Sequence, residues 1–250
     1  MRVACGDPSA NLARIEEAAR DAAKAGPTLL VTPELSLVGY GAGESIRDLA
    51  EPADGPLLTR LARISEETGV AIIAGFAERA DGVIYNSAAY VNGRSAAVVY
   101  RKSHLFGAYE RDLFEPAKPS TVIFEHGGLR CGLLICYDVE FPENVRRLAL
   151  AGADTALVPT ALPSGASGAF IAEHMIQTRA FENQIFLAYV NHTGADERFS
   201  YAGLSRIAAP DGSLLAEATA SEAALLVADL SLADYDDSRR QNTYLADMRI

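Results

Sequence analysis

The sequence is poor in the features that mark several large classes of protein. It has three cysteines, an odd number, at Cys5, Cys131 and Cys136. No two of them have Cys-x-x-Cys spacing, which argues against a disulfide framework or a zinc or redox motif and fits free thiols in a reducing compartment. Basic residues are scarce: 22 Lys and Arg stand against 33 Asp and Glu, a formal net charge of -11, and no window concentrates them. Nucleic acid is therefore not an expected partner. No apolar run approaches the ~20 residues of a membrane-spanning helix, and none suggests a membrane partner. The segment Met1 to Asp7 turns polar too early for a signal peptide, so a soluble, cytoplasmic protein is expected. Internal repeats, low-complexity tracts and linker-like boundaries are also missing, and the chain reads as one domain, residues 1–250, long enough to bury a substantial core. The four histidines, His104, His126, His174 and His192, fall on different elements, and no metal or other cofactor is expected.

What is present is an alternation of strand-like and helix-like stretches. Arg2 to Cys5 reads as a short strand, and Ser9 as the cap of a helix carrying Leu12, Ile15, Ala19 and Ala22 to Gly26-Pro27. A buried strand, Thr28 to Glu34, leads into a glycine-rich loop over residues 35–55 and a helix from Pro56 to Thr68. Val70 to Glu78, Tyr85 to Val91 and Ser95 to Lys102 read as strands, with Asp81-Gly82 and Asn92-Gly93 as turns, so part of the sheet is antiparallel. An ordered loop of no clear period follows Lys102. Strands are expected at Thr121 to Glu125, Arg130 to Cys136, Thr155 to Pro159 and Ile185 to Asn191, with helices at Pro142 to Ala151 and Phe170 to Glu182. The tail offers short strands at Leu204 to Ala208, Leu214 to Ala216 and Ala223 to Leu230, then a polar stretch over residues 234–250 that wraps a surface or a partner. The whole suits a layered α/β architecture with strands between helices.

The chain is organised around Gly132 to Glu143, Gly-Leu-Leu-Ile-Cys-Tyr-Asp-Val-Glu-Phe-Pro-Glu. An apolar strand stops at Cys136, and a turn leads to the helix-start signature Phe141-Pro142-Glu143. The carboxyl end of a strand is where open α/β sheets bind ligands. Cysteine is also a common core residue, so this stretch alone leaves nucleophile and core filler both open. Glu34 and Lys102 share the same placement, each immediately after an apolar strand. If the three strand ends converge, they make an acyl-transfer site. A thiol of pKa near ~8.5 is mostly protonated at neutral pH and needs a base or a positive charge beside it. Glu34 can be that base. Lys102 can be the charge and can steady an oxyanion, together with the backbone N–H of Tyr137.

These residues, in this order, resemble the nitrilase superfamily of carbon-nitrogen hydrolases. The carriers are Pro33-Glu34 with Gly39-Tyr40, then Arg101-Lys102-x-His104-Leu105-Phe106, then Cys136-Tyr137-Asp138-x-x-Phe141-Pro142-Glu143, supported by Tyr85-Asn86-Ser87 and Arg179-Ala180-x-Glu182-Asn183-Gln184. The resemblance implies an αββα sandwich with mixed sheets that associates into homo-oligomers, dimers or larger, and a Glu-Lys-Cys triad without metal or organic cofactor. By motif position Glu34 is the general base, Lys102 the oxyanion stabiliser and Cys136 the nucleophile. Glu110 matches a second glutamate that orients the lysine or the substrate amide; its bland alternative is a loop ion pair with Arg111 or Lys102.

Within that family the sequence is most similar to bacterial amidases acting on small amides, ω-amino amides included. Nitrilases usually carry Trp after the nucleophile, where this chain has Tyr137, which favours an amide over a nitrile. N-carbamoyl amides are the alternative substrates, and a catalytically silent binding subunit is the alternative function. Tyr40, Phe106 and Ala161 are the expected pocket lining, and Glu140, beside the nucleophile, suits a substrate ammonium. The Gly39, Gly41 and Gly43 run is read as a pocket loop rather than a phosphate cradle, and Cys5 and Cys131 as core thiols. One departure is that Cys5-Gly6-Asp7-Pro8 runs straight into the first helix where the family has a longer segment.

Overall fold

The computed structural model describes residues 1–249, so Ile250, the last residue of the expected polar tail, lies outside the described residues. The opening helix, α1 (Pro8–Ala25), starts because Asp7 accepts from the Ala10 N–H at 3.0 Å and proline occupies its first position. Asp7 rather than Ser9 is thus the cap. Gly26, left-handed at φ 103°, closes the helix, and Ile15, Ala19 and Ala22 form the buried stripe that its spacing promised. The chain continues through β1 (Leu29–Val31), α2 (Ser45–Leu49), α3 (Pro56–Thr68), β2 (Ala71–Ala80), β3 (Val83–Val91), β4 (Val98–Arg101) and α4 (Gly107–Leu113). Its second half holds β5 (Ile123–His126), β6 (Leu129–Leu133), α5 (Pro142–Leu150), β7 (Thr155–Thr160), α6 (Ala166–Phe170), α7 (Ile176–Asn183), β8 (Phe186–Asn191), β9 (Arg206–Ala208), β10 (Leu214–Glu217), α8 (Asp236–Gln241) and α9 (Tyr244–Asp247). A π-helical turn, Ile171–Met175, joins α6 to α7, so the long helix begins before the expected Phe170.

The strands form two mixed sheets, one of four in the order β1-β2-β3-β4 and one of six in the order β10-β9-β8-β7-β6-β5. In the first, β1 runs parallel to β2 and the rest is antiparallel; in the second, β6, β7 and β8 are parallel at the centre. Period-two alternation sorts the side chains. On β2, Ile72, Ala74 and Phe76 pack with α1 and α3, whereas Ala71 and Ile73 face the core shared with the second sheet. That shared core includes Tyr100, Leu133, Leu157 and Tyr189 and extends to Val145 and Leu148 of α5 and Ala180 of α7. The result is the four-layer αββα sandwich.

Two expected strands do not form. Side chains of α1 take up the backbone at two points of Arg2 to Cys5: Asn11 accepts from Ala4 N–H at 2.8 Å and donates to Ala4 C=O at 2.7 Å, and Arg14 donates to Arg2 C=O at 3.2 Å. With only Gly6 between this segment and the Asp7 cap, it cannot reach a sheet, and Cys5 is exposed rather than a core thiol. Ala223 to Leu230 is unpaired and mostly exposed, and both segments border one groove along the free edge of β1. Conversely, α2 and α4 fall where loops were expected. Each is a helix of two turns or fewer, too short to show a period. The Asn92-Gly93 turn is an Asx-type loop, with Asn92 Oδ1 accepting from the N–H groups of Arg94 and Ser95.

One glycine fixes the height of the turn after β1. A Cβ on Gly75 of β2 would collide with the Leu35 backbone nitrogen and lie 2.9 Å from the Glu34 carbonyl carbon. Only a bare backbone lets this turn lie on the sheet. Gly75→Ala is expected to cost roughly 1–3 kcal/mol through overpacking, seen as a melting temperature lowered by several degrees.

Candidate active site

The strand ends do converge. Glu34 follows β1, where Leu35 turns at φ 49°, and its own N–H reaches across to Thr160 C=O of β7 at 3.4 Å. Lys102 follows β4, with its N–H held by Asn86 C=O at 2.8 Å. Glu110 lies on α4, and Cys136 opens a 3-10 helix, Cys136–Glu140, after β6. Glu34, Lys102 and Glu110 are each 0% exposed, and Cys136 is 6% exposed. Their isolation from water makes every charge among them matter.

Lys102 Nζ donates to Glu34 Oε1 and to Glu110 Oε1, each at 2.7 Å. An ammonium has three N–H groups, so one is left for another acceptor. The two carboxylates are not equivalent. Both oxygens of Glu110 are occupied, because Oε1 also accepts from the Tyr40 hydroxyl at 2.9 Å and Oε2 accepts from Phe106 N–H at 2.9 Å. Arg111 turns away to Leu105 C=O, so the loop ion pair considered for Glu110 is made with Lys102 alone. Glu34 Oε1 accepts from Asn86 Nδ2 at 2.7 Å, while its Oε2 is buried without a partner.

These contacts set the protonation states. Burial opposes the Lys102 charge, but Glu110 and Glu34 outweigh it and hold the ammonium well above its ordinary pKa. Burial and, less strongly, the Glu110 charge raise the Glu34 carboxyl, with Lys102 and the Asn86 hydrogen bond working against them. Burial first, then Glu34, drives the Cys136 thiol well above its ordinary value, despite Lys102 and a hydrogen bond from the Ala161 backbone. The resting sulfur is a thiol. A thiol attacks only as its proton is removed, and the same buried cluster holds a partnerless carboxylate oxygen that can take one.

Cys136 has φ 46°, a left-handed conformation rare for a residue with a side chain, at the kind of position where backbone strain collects in functional sites. Asp138 holds this turn. Its carboxylate accepts from Ile135 N–H at 3.3 Å within the turn. It also accepts from Tyr100 OH at 2.9 Å, Ser103 Oγ at 2.8 Å, His104 N–H at 2.9 Å and His104 Nδ1 at 2.9 Å across the sheets. The Cys136 turn and the lysine loop are thereby tied through one buried carboxylate, with His104 bound to it by both its N–H and its ring. Asp138→Ala orphans these donors together, and a loss of roughly 3–5 kcal/mol in chemical denaturation is expected.

The remaining expected site residues surround this cluster. Ala161 is buried at the end of β7, and Phe106, 44% exposed, packs edge-on against Tyr137 with centroids 5.2 Å apart. Tyr137 N–H lies in the first turn of its 3-10 helix, where backbone donors lack intrahelical acceptors. Glu140 is half-buried, and burial raises its carboxyl to about 7 against the pull of Lys102 and Arg179. Arg179 of α7 bonds the Val139 and Glu140 carbonyls at 3.0 and 2.8 Å, which anchors that end of the turn.

Two contacts to Glu34 were not assigned from sequence. His192, after β8, bonds the Glu34 carbonyl through Nε2 at 2.6 Å, and burial lowers its pKa to about 4, so it is neutral. Asn86 sits on β3 between Ile84 and Ala88, a buried amide on an apolar strand face. That lone polar residue among inward apolar ones was the available signal. Among the described residues, no group of three or more His, Cys, Asp or Glu could hold a metal ion, and no helix is long and apolar enough to cross a membrane.

Comparison with known proteins gives a consistent result. The carbon-nitrogen hydrolase family model matches residues 1–240. The chain is 44% identical to "Hydrolase in pqqF 5'region" of Pseudomonas protegens, over 97% of this chain and 85% of that protein. It is 39% identical to the (R)-stereoselective amidase of a Pseudomonas species, over 98% of this chain and 88% of that protein. Among solved structures, a mutant of the Nesterenkonia sp. AN1 amidase superposes with a TM-score of 0.87 at 32% identity, over 99% of this chain and 91% of that one. That structure shows covalent addition of the acetamide moiety of fluoroacetamide at its active site cysteine.

Proposed function

The chain belongs to the carbon-nitrogen hydrolase family, as an amidase of the nitrilase superfamily with cysteine-based catalysis, and we propose that it hydrolyses small carboxamides, ω-amino carboxamides included, to the acid and ammonia through a thioester on Cys136. The observation that carries this reading is the buried set of Lys102 between two carboxylates, only one of which keeps an oxygen without a partner. Glu34 Oε2 takes the thiol proton as the sulfur bonds to the amide carbon. The remaining Lys102 N–H and the Tyr137 N–H hold the oxyanion. Glu34 then passes the proton to the amide nitrogen, the C–N bond breaks and ammonia leaves. Water, deprotonated by Glu34, attacks the thioester; the C–S bond breaks, the acid departs and the proton returns to sulfur. Glu110, with both oxygens occupied, fixes Lys102 and does not exchange protons.

Tyr40, Phe106, Ala161 and Glu140 line the substrate site in this reading. The Glu140 carboxylate has no hydrogen-bond partner among the described residues, and a substrate ammonium would supply one. A catalytic thiol works in a reducing compartment, which points to the cytoplasm. Association of copies into a homodimer or larger is what the family resemblance implies.

The test is ammonia release from simple amides, ω-amino amides, N-carbamoyl compounds and nitriles. Turnover of amides is expected, with a KM advantage for ω-amino amides of roughly 10-fold that Glu140→Gln removes. Carbon dioxide appearing with ammonia, from N-carbamoyl compounds alone, would replace the substrate class. No ammonia from any compound by the folded protein would sink the proposal.

A further inference from the structure

We infer that Asn86 is a positioning residue that decides which oxygen of Glu34 exchanges protons with the nucleophile and the leaving group. The inference rests on the reading of Glu34 as the base. Lys102 does not distinguish the two glutamates, since it meets one oxygen of each at the same 2.7 Å. What separates them is the second donor. On Glu110 the further donors, Tyr40 OH and Phe106 N–H, are divided between the two oxygens, so neither is bare. On Glu34 the second donor is Asn86 Nδ2, and it lands on the oxygen that Lys102 already holds.

The orientation of the Asn86 amide follows from its partners. A carboxylate beside an ammonium only accepts, so the amide must present nitrogen to it. With two charge-assisted donors on Oε1, the electron pairs available to a proton are those of Oε2, which is buried and unpartnered. Without Asn86, the Glu34 carboxylate is free to turn until Lys102 bridges both oxygens, and the basic oxygen is withdrawn from the sulfur. Asn86 also holds the other side of the pair, because its backbone carbonyl accepts the Lys102 N–H at 2.8 Å. One residue of β3 therefore sets the base through its side chain and the lysine through its main chain. Its neighbours on the same strand face, Ile84 and Ala88, can do neither.

Asn86→Leu removes the donor at similar volume, and Asn86→Asp removes it at the same shape. The main-chain contact to Lys102 survives in both. The expected result is kcat lowered roughly 10- to 100-fold with KM changed less than about threefold. The acid limb of the kcat/KM profile should move to higher pH, because the hydrogen bond that favours the Glu34 carboxylate is gone, and further in Asn86→Asp, which adds a second acid. A structural role alone would lower the melting temperature and leave the acid limb in place. Either folded variant with the wild-type acid limb and kcat overturns the inference. Glu34→Gln is the control. If it still hydrolyses amides, the base assignment itself fails; if it is inactive while the Asn86 variants keep the wild-type profile, only the role of Asn86 fails.

Discussion

Cys136→Ala is expected to abolish amide hydrolysis, by at least roughly 10⁴-fold in kcat, while the protein stays folded. The two halves of this expectation have separate causes. In the proposed reading the thiol is the nucleophile, and neither Glu34 nor Lys102 can replace a carbon-sulfur bond with one of its own while serving as base and oxyanion donor. Deleting one sulfur atom from a site already 6% exposed leaves a small void, worth about 1 kcal/mol at most. Ammonia release and a thermal melt on the same sample check both halves. Residual turnover above about 1% in a folded variant would show that another group carries the acyl transfer.

The second large effect is on stability. Lys102→Met should destabilise the protein by roughly 3–5 kcal/mol, or about 10 °C in melting temperature, and remove activity as well. The lysine is the counterion within 2.7 Å of both Glu34 and Glu110, all three wholly buried. Without it, a carboxylate loses its partner on each side at once. The pH dependence follows from the sign of the Glu34 shift, which is already upward with the lysine present. In the variant the shift grows, so protonated Glu34 favours the folded state below the unfolded carboxylate range, and that benefit is lost as pH rises through the folded value. The deficit of Lys102→Met should thus be largest at neutral and alkaline pH and narrow toward pH 5. Guanidinium melts at both pH values measure it; a deficit independent of pH would mean that the carboxylates find another counterion.

The core of the candidate site is legible in the sequence because each of its residues breaks a rule of its surroundings. A carboxylate, an ammonium and a thiol at the ends of apolar strands have no packing reason to be there, and Glu34, Lys102 and Cys136 stand out for that. Asp138 sat inside the nucleophile motif, yet its work could not be read, since its partners Tyr100, Ser103 and His104 lie more than 30 residues away. His192 is hidden for the same reason, its hydrogen bond spanning 158 residues, whereas Asn86 leaves a signal as a buried amide among apolar residues but does not name its partner 52 residues away. In the fold, the long amphipathic helices and the central strands were read from their periods. The failures were at the edges. Arg2 to Cys5 and Ala223 to Leu230 have strand-like composition, but a strand is made by its partner, and Asn11 claims the backbone of the first. Cys5 was misplaced in consequence.

The groups of the candidate site are divided between the two sheets. Glu34 and Lys102 end strands of the four-stranded sheet, whereas Cys136 and Ala161 follow strands of the six-stranded one. The proposed base and the proposed nucleophile are thus two separately manufactured parts, brought into register by a few rivets: Glu34 N–H to Thr160, His192 to the Glu34 carbonyl, and the Asp138 carboxylate gripping the lysine loop. In the proposed reading the substrate site draws on both parts, Glu140 and Ala161 from the cysteine half and Tyr40 and Phe106 from the other, so changes at Glu140 and Ala161 alter the acyl pocket while Glu34 and Lys102 stay in place.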